Sequence, residues 1–311
     1  MSIKNIRIMR KISEDFKKNL LKGSLHNLLR YVKEDYTLDL ELRGNEITVY
    51  YRGGSLLSVE EKDGMYNWKP LDSEYKKGKA PMPTAIVEDV EKYIPQAKHV
   101  IDKYIVCGPK NHLGEKEIQQ LVVKENNYSP YSKDTDYFII DFEYQYGKNS
   151  RFDLVALRWD ATSAKRKTNK VSMAIIEVKQ GIVSVKTTSP KSPGLKKHQE
   201  DFHNFIEDTS RTKEFMDDML VVFKQKCELG LIKANSKIEN LKEDSELVLV
   251  GDLDFICLLA NYKIASDNLK IELEKMEDCK FFTSSFIGYG LYSNSIIDKK
   301  EVLSIIEEKN D

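Results

Sequence analysis

The chain has 311 residues, enough for one large domain or about two smaller ones. Its 41% hydrophobic and 32% charged residues exclude a collagen-like, low-complexity or wholly disordered chain and allow a substantial buried core. The 49 Lys and Arg residues balance 50 Asp and Glu residues, which gives a net charge of -1. The overall charge therefore does not indicate nucleic-acid binding, and any electrostatic recognition has to be local.

The first 108 residues are predicted to form a small α+β domain. Apolar residues at three- and four-residue steps predict helices, and alternating patterns bounded by glycine predict strands. The predicted elements are, in chain order, an amphipathic helix over residues 11–35, strands over 38–42, 47–51 and 55–60, a loop over 62–83, and a helix over 84–106 that bends at Pro95. Because Cys107-Gly108-Pro109 ends the last helix, we expect a domain boundary after residue 108.

The pattern changes after this boundary, and residues 109–311 are predicted to form a second domain. Its predicted elements are a helix over residues 113–126, strands over 136–146, 151–159 and 171–180, helices over 195–208 and 211–229, a strand over 253–262, a short helix, and an aromatic strand near 281–292. The core of this domain therefore has the order α-β-β-β-α-β, which is typical of an α/β fold.

Four separated cysteines and the N-terminal sequence indicate the cellular compartment. The cysteines at positions 107, 227, 257 and 279 contain no C-x-x-C pair, so reduced thiols are expected rather than a disulfide framework or a zinc site. Charged residues interrupt the N-terminal stretch, and the most apolar stretch, residues 247–260, is broken by two aspartates. The prediction is a cytoplasmic protein with no membrane partner.

Two apolar strands of the second domain carry charged residues at one end. Asp153 lies near the start of the first strand, and Glu177-Val178-Lys179 ends the second. Glu177 and Lys179 share one face, because side chains alternate along a strand. The connector over residues 160–170 is short enough for an antiparallel hairpin, and a centre near Lys165 would put Asp153 opposite Glu177.

Two carboxylates and an ammonium group at the end of a buried hairpin are costly unless they are paired or bind a ligand. Carboxylate oxygens favour Mg²⁺ or Mn²⁺, and such a metal polarises a phosphoryl oxygen and lowers the pKa of a bound water. Lys179 is suited to orient that water or to stabilise the negative charge that develops during the reaction. This set of residues therefore points to phosphodiester hydrolysis.

Asp153 on one strand and Glu177-Val178-Lys179 on the next resemble the signature of the PD-(D/E)XK nuclease superfamily, with Phe152 at the position of the name-giving proline. The resemblance extends over residues 112–262, roughly half of the chain. It implies a restriction-endonuclease-like α-β-β-β-α-β core with a mixed sheet. It also implies that Asp153, Glu177 and the carbonyl of Val178 bind Mg²⁺ or Mn²⁺. Lys179 would be the catalytic lysine.

The superfamily pattern places a further acidic residue on the helix before the first strand. Glu117 matches best, because a helical projection puts it nearer than Glu115 to the apolar face of that helix. Glu117 is therefore the predicted fourth catalytic residue, and Glu115 is the alternative.

A second part of the resemblance concerns the RecB-like branch of the superfamily. Residues 147–153 are similar to its G-x-x-x-R-x-D run. That branch carries a Gln and, four residues later, a Tyr on the following helix, whereas here Gln199 is followed by His203. The predicted substrate-binding residues are Gln199, Arg151 and Lys197, and for Gln199 a plain polar helix face is the alternative.

A local excess of basic residues flanks the predicted site. Residues 161–197 contain nine Lys or Arg residues and one Glu, which gives a net charge of +8. Such a rim would hold a phosphate backbone and make binding sensitive to salt, and a solvated loop is the alternative for residues 165–170. His198 and His203 do not have the i,i+4 spacing of zinc ligands on a helix, so we predict no zinc site there.

The predicted function is a Mg²⁺-dependent nuclease that hydrolyses phosphodiester bonds, with DNA as the favoured substrate. Cutting both strands of a duplex would favour a homodimer, and defence, restriction or repair are settings typical of the superfamily. One alternative is a catalytically inactive module of the same fold that binds nucleic acid or serves in assembly. A second alternative is a protein-interaction scaffold, which should show no stabilisation by divalent ions.

Overall fold

The protein, described here from a computed structural model, has an α/β architecture. The structure describes residues 9–107, 114–130, 132–146, 151–162, 165–166, 168–180, 185, 194–234, 246–261, 266–285 and 288–308. The helices are α1 (Glu14–Lys22), α2 (His26–Glu34), α3 (Val90–Cys107), α4 (Glu115–Asn127), α5 (Leu195–Ile206), α6 (Thr209–Glu228), α7 (Asp267–Leu273) and α8 (Lys299–Glu308). The strands are β1 (Leu38–Leu42), β2 (Glu46–Tyr51), β3 (Gly54–Lys62), β4 (Met65–Pro70), β5 (Tyr137–Gln145), β6 (Arg151–Arg158), β7 (Ala161–Thr162), β8 (Lys165–Arg166), β9 (Lys170–Gln180), β10 (Val248–Leu249), β11 (Asp254–Ala260), β12 (Lys280–Ser284) and β13 (Ile297–Asp298). Within these ranges, no helix combines the length and the apolar character needed to cross a bilayer.

The chain forms two compact units, each built around its own sheet. The first unit comprises Met1–Lys124 and Asp218–Ile232, and the second comprises Glu125–Asp217 and Lys233–Asp311. This division does not coincide with the boundary predicted after residue 108, because most of α4 and the C-terminal half of α6 belong to the first unit. Within that unit, the Gln225 amide accepts a hydrogen bond from the Ile12 N–H at 3.1 Å and donates one to the Ile12 carbonyl at 2.9 Å.

The first unit contains an antiparallel sheet in the order β1-β2-β3-β4. The three predicted strands are confirmed as β1, β2 and β3, but the loop predicted over residues 62–83 contains a fourth strand, β4. Asp63 and Gly64 make the turn between β3 and β4, with positive φ angles of 52° and 75°. An Asp-Gly pair suits a two-residue hairpin turn, so this dipeptide is the signal that predicts β4.

The single helix predicted over residues 11–35 is wrong, because the chain forms two helices, α1 and α2. The break lies at Gly23, where a Cβ atom would come within 2.3 Å of Asn19 Oδ1 and 2.8 Å of Asn19 Cα. The N–H groups of Gly23 and Leu25 both donate to the Asn19 carbonyl, at 3.0 and 3.2 Å, which ends α1. Apolar residues continue on both sides of the break, so their periodicity alone does not reveal it.

Helix α3 contains Pro95, as predicted, but it begins at Val90 rather than at residue 84. The Gln96 side chain accepts hydrogen bonds from the N–H groups of Thr84 and Ala85, at 2.8 and 3.3 Å. These bonds satisfy the backbone of the preceding segment in a non-helical conformation, which explains the later start.

Strand β1 alternates leucines with Asp39 and Glu41, and yet both of its faces are buried. The Lys226 ammonium of α6 donates to Glu41 Oε1 at 2.6 Å, and at most 1% of either side chain is exposed. Burial lowers the pKa of Lys124 to about 8, although the negative charge of Asp39 opposes this shift. Losing one member of a buried ion pair leaves an uncompensated charge, so the Glu41–Lys226 pair ties the end of α6 to the first sheet.

The second unit contains a mixed sheet in the order β13-β12-β11-β9-β6-β5, with β10 paired to the start of β9. Strands β5, β6 and β9 run antiparallel, whereas β11 is parallel to β9 and β12 is parallel to β11. The elements predicted between residues 113 and 262 are confirmed as α4, β5, β6, β9, α5, α6 and β11, while β13 and α8 were not predicted. Strand β9 lies between β6 and β11 and is buried from Met173 to Lys179, which shields its charged end from water.

Candidate functional site

Strands β6 and β9 form the antiparallel hairpin that the sequence predicts. Their register pairs Leu154 with Ile176 and continues in step toward the connector. Extending the register by one step puts Asp153 opposite Glu177. The predicted hairpin centre near Lys165 is therefore confirmed.

Asp153 is buried, with 5% of its surface exposed. Its Oδ2 atom accepts a hydrogen bond from the Val178 N–H at 2.9 Å. Burial and the negative charge of Glu177 raise the pKa of Asp153 to about 7, and the positive charge of Lys179 offsets only part of this shift. A cation bound at this position would favour the ionised carboxylate.

Glu177 and Lys179 lie on one face of β9, as the alternation of the strand predicts. The Lys179 Nζ atom lies 2.5 Å from Glu177 Oε1, with 5% and 1% of the two side chains exposed. The neighbouring residues on β11 are Cys257 beside Glu177 and Leu259 beside Lys179, so the pair is flanked by hydrogen-bonded strands. Such deep burial makes the desolvation of both charges costly.

His198, near the start of α5, also contacts Glu177. Its Nε2 atom lies 3.1 Å from Glu177 Oε1, and 19% of the side chain is exposed. Burial and the positive charge of Lys179 lower the pKa of His198 to about 4. The imidazole is therefore neutral at pH 7, and its Nε2 atom lies within hydrogen-bonding distance of the carboxylate.

The sequence analysis gave His198 no role, although the periodicity of α5 points to it. The buried apolar residues of α5 are Leu195, Phe202 and Phe205. A projection at about 100° per residue puts His198 about 30° from the centre of this apolar stripe, against about 70° for Gln199. The sequence therefore contains a signal for His198, although the motif of the RecB-like branch falls on Gln199.

Two of the predicted substrate-binding residues have partners within the second unit. The Gln199 amide accepts a hydrogen bond from the Glu277 N–H at 2.9 Å and donates one to the Glu277 carbonyl at 3.3 Å. Arg151 is half-exposed and its Nη1 atom lies 3.0 Å from Glu143 Oε1. Gln199 therefore holds the segment after α7. Contacts of Gln199 and Arg151 with a substrate stay predictions.

Glu117 lies in the first unit, close to the start of α4. Its Oε1 atom accepts a hydrogen bond from Arg52 Nε at 2.8 Å, and Arg52 also contacts Asp102 at 2.8 Å. Glu117 is buried and Glu115 is more exposed, which confirms that Glu117 is nearer to the buried face of the helix. Within the described residues, Glu117 Oε2 is buried without a hydrogen-bond partner. A role for Glu117 in metal binding stays a prediction.

The predicted basic rim lies only partly on the surface. Arg166 is fully buried, and its Nη1 atom donates to the carbonyls of Thr135 and Trp159, both at 2.7 Å. Including Arg166 in the rim was wrong, because its charge is held inside the second unit, where burial lowers its pKa to about 10. Lys197 is on the surface and pairs with Asp201 one turn later. Rim residues outside the described ranges are Lys167, Lys186 and Lys191.

The two buried carboxylates suit a hard divalent cation. Within the described part of the chain, no group of three or more His, Cys, Asp and Glu side chains is arranged to hold a metal ion. One or two protein carboxylates completed by water is nevertheless the usual arrangement for Mg²⁺. Two buried carboxylates share one ammonium group, that of Lys179, which is bonded to Glu177, so the donor set fits such a cation.

Comparison of the chain with protein-family models, with curated proteins and with solved structures finds no match. A proposal about function therefore depends on the chemistry of the buried residues and on the order of the secondary-structure elements.

Proposed function

We propose that this chain is a metal-dependent nuclease of the PD-(D/E)XK type, which hydrolyses phosphodiester bonds with DNA as the favoured substrate. The observation that carries the proposal is the pair of buried carboxylates, Asp153 and Glu177, opposite one another on adjacent strands with Lys179 bonded to Glu177. When both carboxylates are ionised, this group has a net charge of -1 in a buried setting, which favours a bound cation.

The order of the elements supports a restriction-endonuclease-like core. Helix α4, strands β5, β6 and β9, helix α5 and strand β11 follow one another as α-β-β-β-α-β, with α6 between α5 and β11. Strand β11 lies beside β9 and parallel to it, which makes the sheet mixed. This is the arrangement that the sequence resemblance implies.

Each residue of the group has a defined task in this proposal. Asp153, Glu177 and the carbonyl of Val178 hold Mg²⁺ or Mn²⁺. The chemistry supplied by the bound metal is polarisation of a phosphoryl oxygen and a lower pKa for an attacking water. Lys179 orients that water for in-line attack or stabilises the charge that develops on the phosphate. Its three N–H donors allow it to do so while it stays in contact with Glu177.

Cleavage assays with Lys179→Met test the proposal. Supercoiled plasmid, linear duplex DNA, single-stranded DNA and RNA are each incubated with Mg²⁺, Mn²⁺ or EDTA. We expect metal-dependent cleavage of DNA that falls by about 10²–10³-fold in the variant, the usual effect of removing one group that stabilises a transition state. Lys280→Met is the matched control, because Lys280 pairs with Asp254 at a partly exposed position of the same sheet.

The remaining outcomes separate the alternatives. Binding of Mn²⁺ without cleavage of any substrate would favour the inactive binding or assembly module. Absence of both metal binding and cleavage would refute the nuclease proposal and favour the protein-interaction scaffold. Direct conversion of supercoiled plasmid to linear DNA, without a nicked intermediate, would support the predicted homodimer.

A further inference from the structure

Side-chain nitrogens from two different elements lie close to one oxygen of Glu177. Lys179 Nζ, from the same strand, lies 2.5 Å from Oε1, and His198 Nε2, from α5, lies 3.1 Å from the same atom. The carboxylate is planar, so two donors on one oxygen define how the whole group is oriented. Its orientation therefore depends on α5 as well as on β9.

The two donors differ in stiffness. Lys179 carries its ammonium on a flexible four-carbon stem. His198 reaches Glu177 through only two rotatable bonds, and its backbone N–H donates to the Gly194 carbonyl at 3.3 Å in the first turn of α5. Because the imidazole turns about fewer bonds than the lysine stem, it is the more rigid of the two donors.

We propose that His198 is a positioning residue of the candidate site, which holds the Glu177 carboxylate in the orientation that binds a divalent cation. This inference rests on the proposed nuclease function. The His198 contact holds Glu177 in place while Lys179 shares its N–H donors between Glu177 and water or phosphate. Groups that hydrogen-bond to metal-binding side chains act through them in this way, since they orient the donor atoms before the metal arrives.

The test compares two substitutions at this position by titrating each protein with Mn²⁺. Binding is measured by calorimetry or from the electron paramagnetic resonance signal of free Mn²⁺. His198→Leu removes the donor and keeps an apolar side chain of similar size, whereas His198→Gln keeps an N–H donor. We expect His198→Leu to bind Mn²⁺ about 10–100-fold more weakly than the wild type, and His198→Gln to bind almost as well as the wild type. His203→Leu is the matched control, because His203 is on the same helix, is 39% exposed and lies 3.7 Å from Glu277.

A second measurement separates positioning from a general structural role. DNA cleavage by His198→Leu should recover as the Mn²⁺ concentration rises, with an unchanged KM for DNA, because only the affinity for metal is impaired. Thermal unfolding in EDTA checks that each variant is folded, and His198→Ala replaces His198→Leu if the latter does not fold.

Three results would overturn the inference. Binding of Mn²⁺ by His198→Leu as tightly as by the wild type would show that the contact does not position Glu177. Equal weakening in His198→Gln and His198→Leu would show that the N–H donor is not what matters. If the wild type binds no more Mn²⁺ than Asp153→Asn does, the proposed nuclease function fails as well. This third result therefore distinguishes failure of the nuclease proposal from failure of the His198 inference alone.

Discussion

Replacing Asp153 by Asn should stabilise the metal-free second unit at pH 8 while it removes a metal-binding carboxylate. Asn keeps an oxygen that can accept the hydrogen bond from the Val178 N–H, which is 2.9 Å long in the wild type. It also ends the repulsion between two buried negative charges on adjacent strands. A residue that serves function can lower the stability of the fold, and replacing such a residue is expected to raise the free energy of unfolding.

The magnitude follows from the pKa of Asp153, which burial and Glu177 raise from 3.8 to about 7. A shift of roughly three units at about 1.36 kcal/mol per unit gives an upper limit of about 4 kcal/mol. The unfolded chain loses its proton at the lower pKa, so wild-type stability falls as the pH rises from about 4 to about 7. Asp153→Asn lacks this titration, so its advantage should be full at pH 8 and should vanish at pH 3.

Urea unfolding in EDTA, followed by tryptophan fluorescence, measures the effect. The chain has only two tryptophans, Trp68 in the first unit and Trp159 in the second, so a Trp68→Phe background isolates the signal of the second unit. Adding Mn²⁺ should stabilise the Asp153 protein at pH 8 and leave the Asn variant unchanged.

The reasoning would be refuted if Asp153→Asn were no more stable than the wild type at pH 8. It would also be refuted if the stabilisation were the same at pH 3 and pH 8. In the second case the gain would come from packing or hydrogen bonding, because ionisation of Asp153 contributes nothing at the lower pH.

The remaining predictions concern the first unit. Lys226→Met should lower its free energy of unfolding by about 3–5 kcal/mol, because it removes the ammonium that compensates buried Glu41. In urea unfolding, the double variant Lys226→Met/Glu41→Met should recover most of that loss, and no recovery would argue against the pair. Gly64→Ala should cost about 1–2 kcal/mol through its positive φ alone, since open space surrounds it. Gly53→Ala should cost more, because its Cβ would lie 2.6 Å from the Lys116 carbonyl carbon, and equal losses would contradict this close approach.

The hairpin of the candidate site could be predicted because it is a local structure. A short connector over residues 160–170 limits the register of β6 against β9, and the alternation of side chains then decides that Glu177 and Lys179 share a face. The opposition of Asp153 and Glu177 therefore needed no information from elsewhere in the chain.

His198 shows where local patterns stop being sufficient. The periodicity of α5 gives the rotation of the helix about its axis, but a 3.1 Å contact with Glu177 also depends on how far the helix slides along the sheet. That translation is set by contacts such as the Gln199 amide on the Glu277 backbone, 78 residues away in sequence. Sequence spacing contains no rule for such a contact.

The division into units was the hardest feature to predict, for a similar reason. The hydrogen bonds between Gln225 and Ile12 join residues 213 positions apart, and the Lys226–Glu41 pair joins residues 185 positions apart. Gly108 and Pro109 do form a strong break signal. Such a signal shows where a helix ends, but it does not show which later segment returns to complete a core.

The long separation of Glu41 and Lys226 has a consequence for how the protein is made. At a synthesis rate of ~5–20 residues per second, the lysine follows its partner from the ribosome by roughly 10–40 seconds. Throughout that interval strand β1 has already emerged, but the cation that compensates its buried glutamate does not yet exist. The first unit therefore cannot close when its own four strands have emerged, because strands β5, β6 and β9 of the second unit are all made before Lys226.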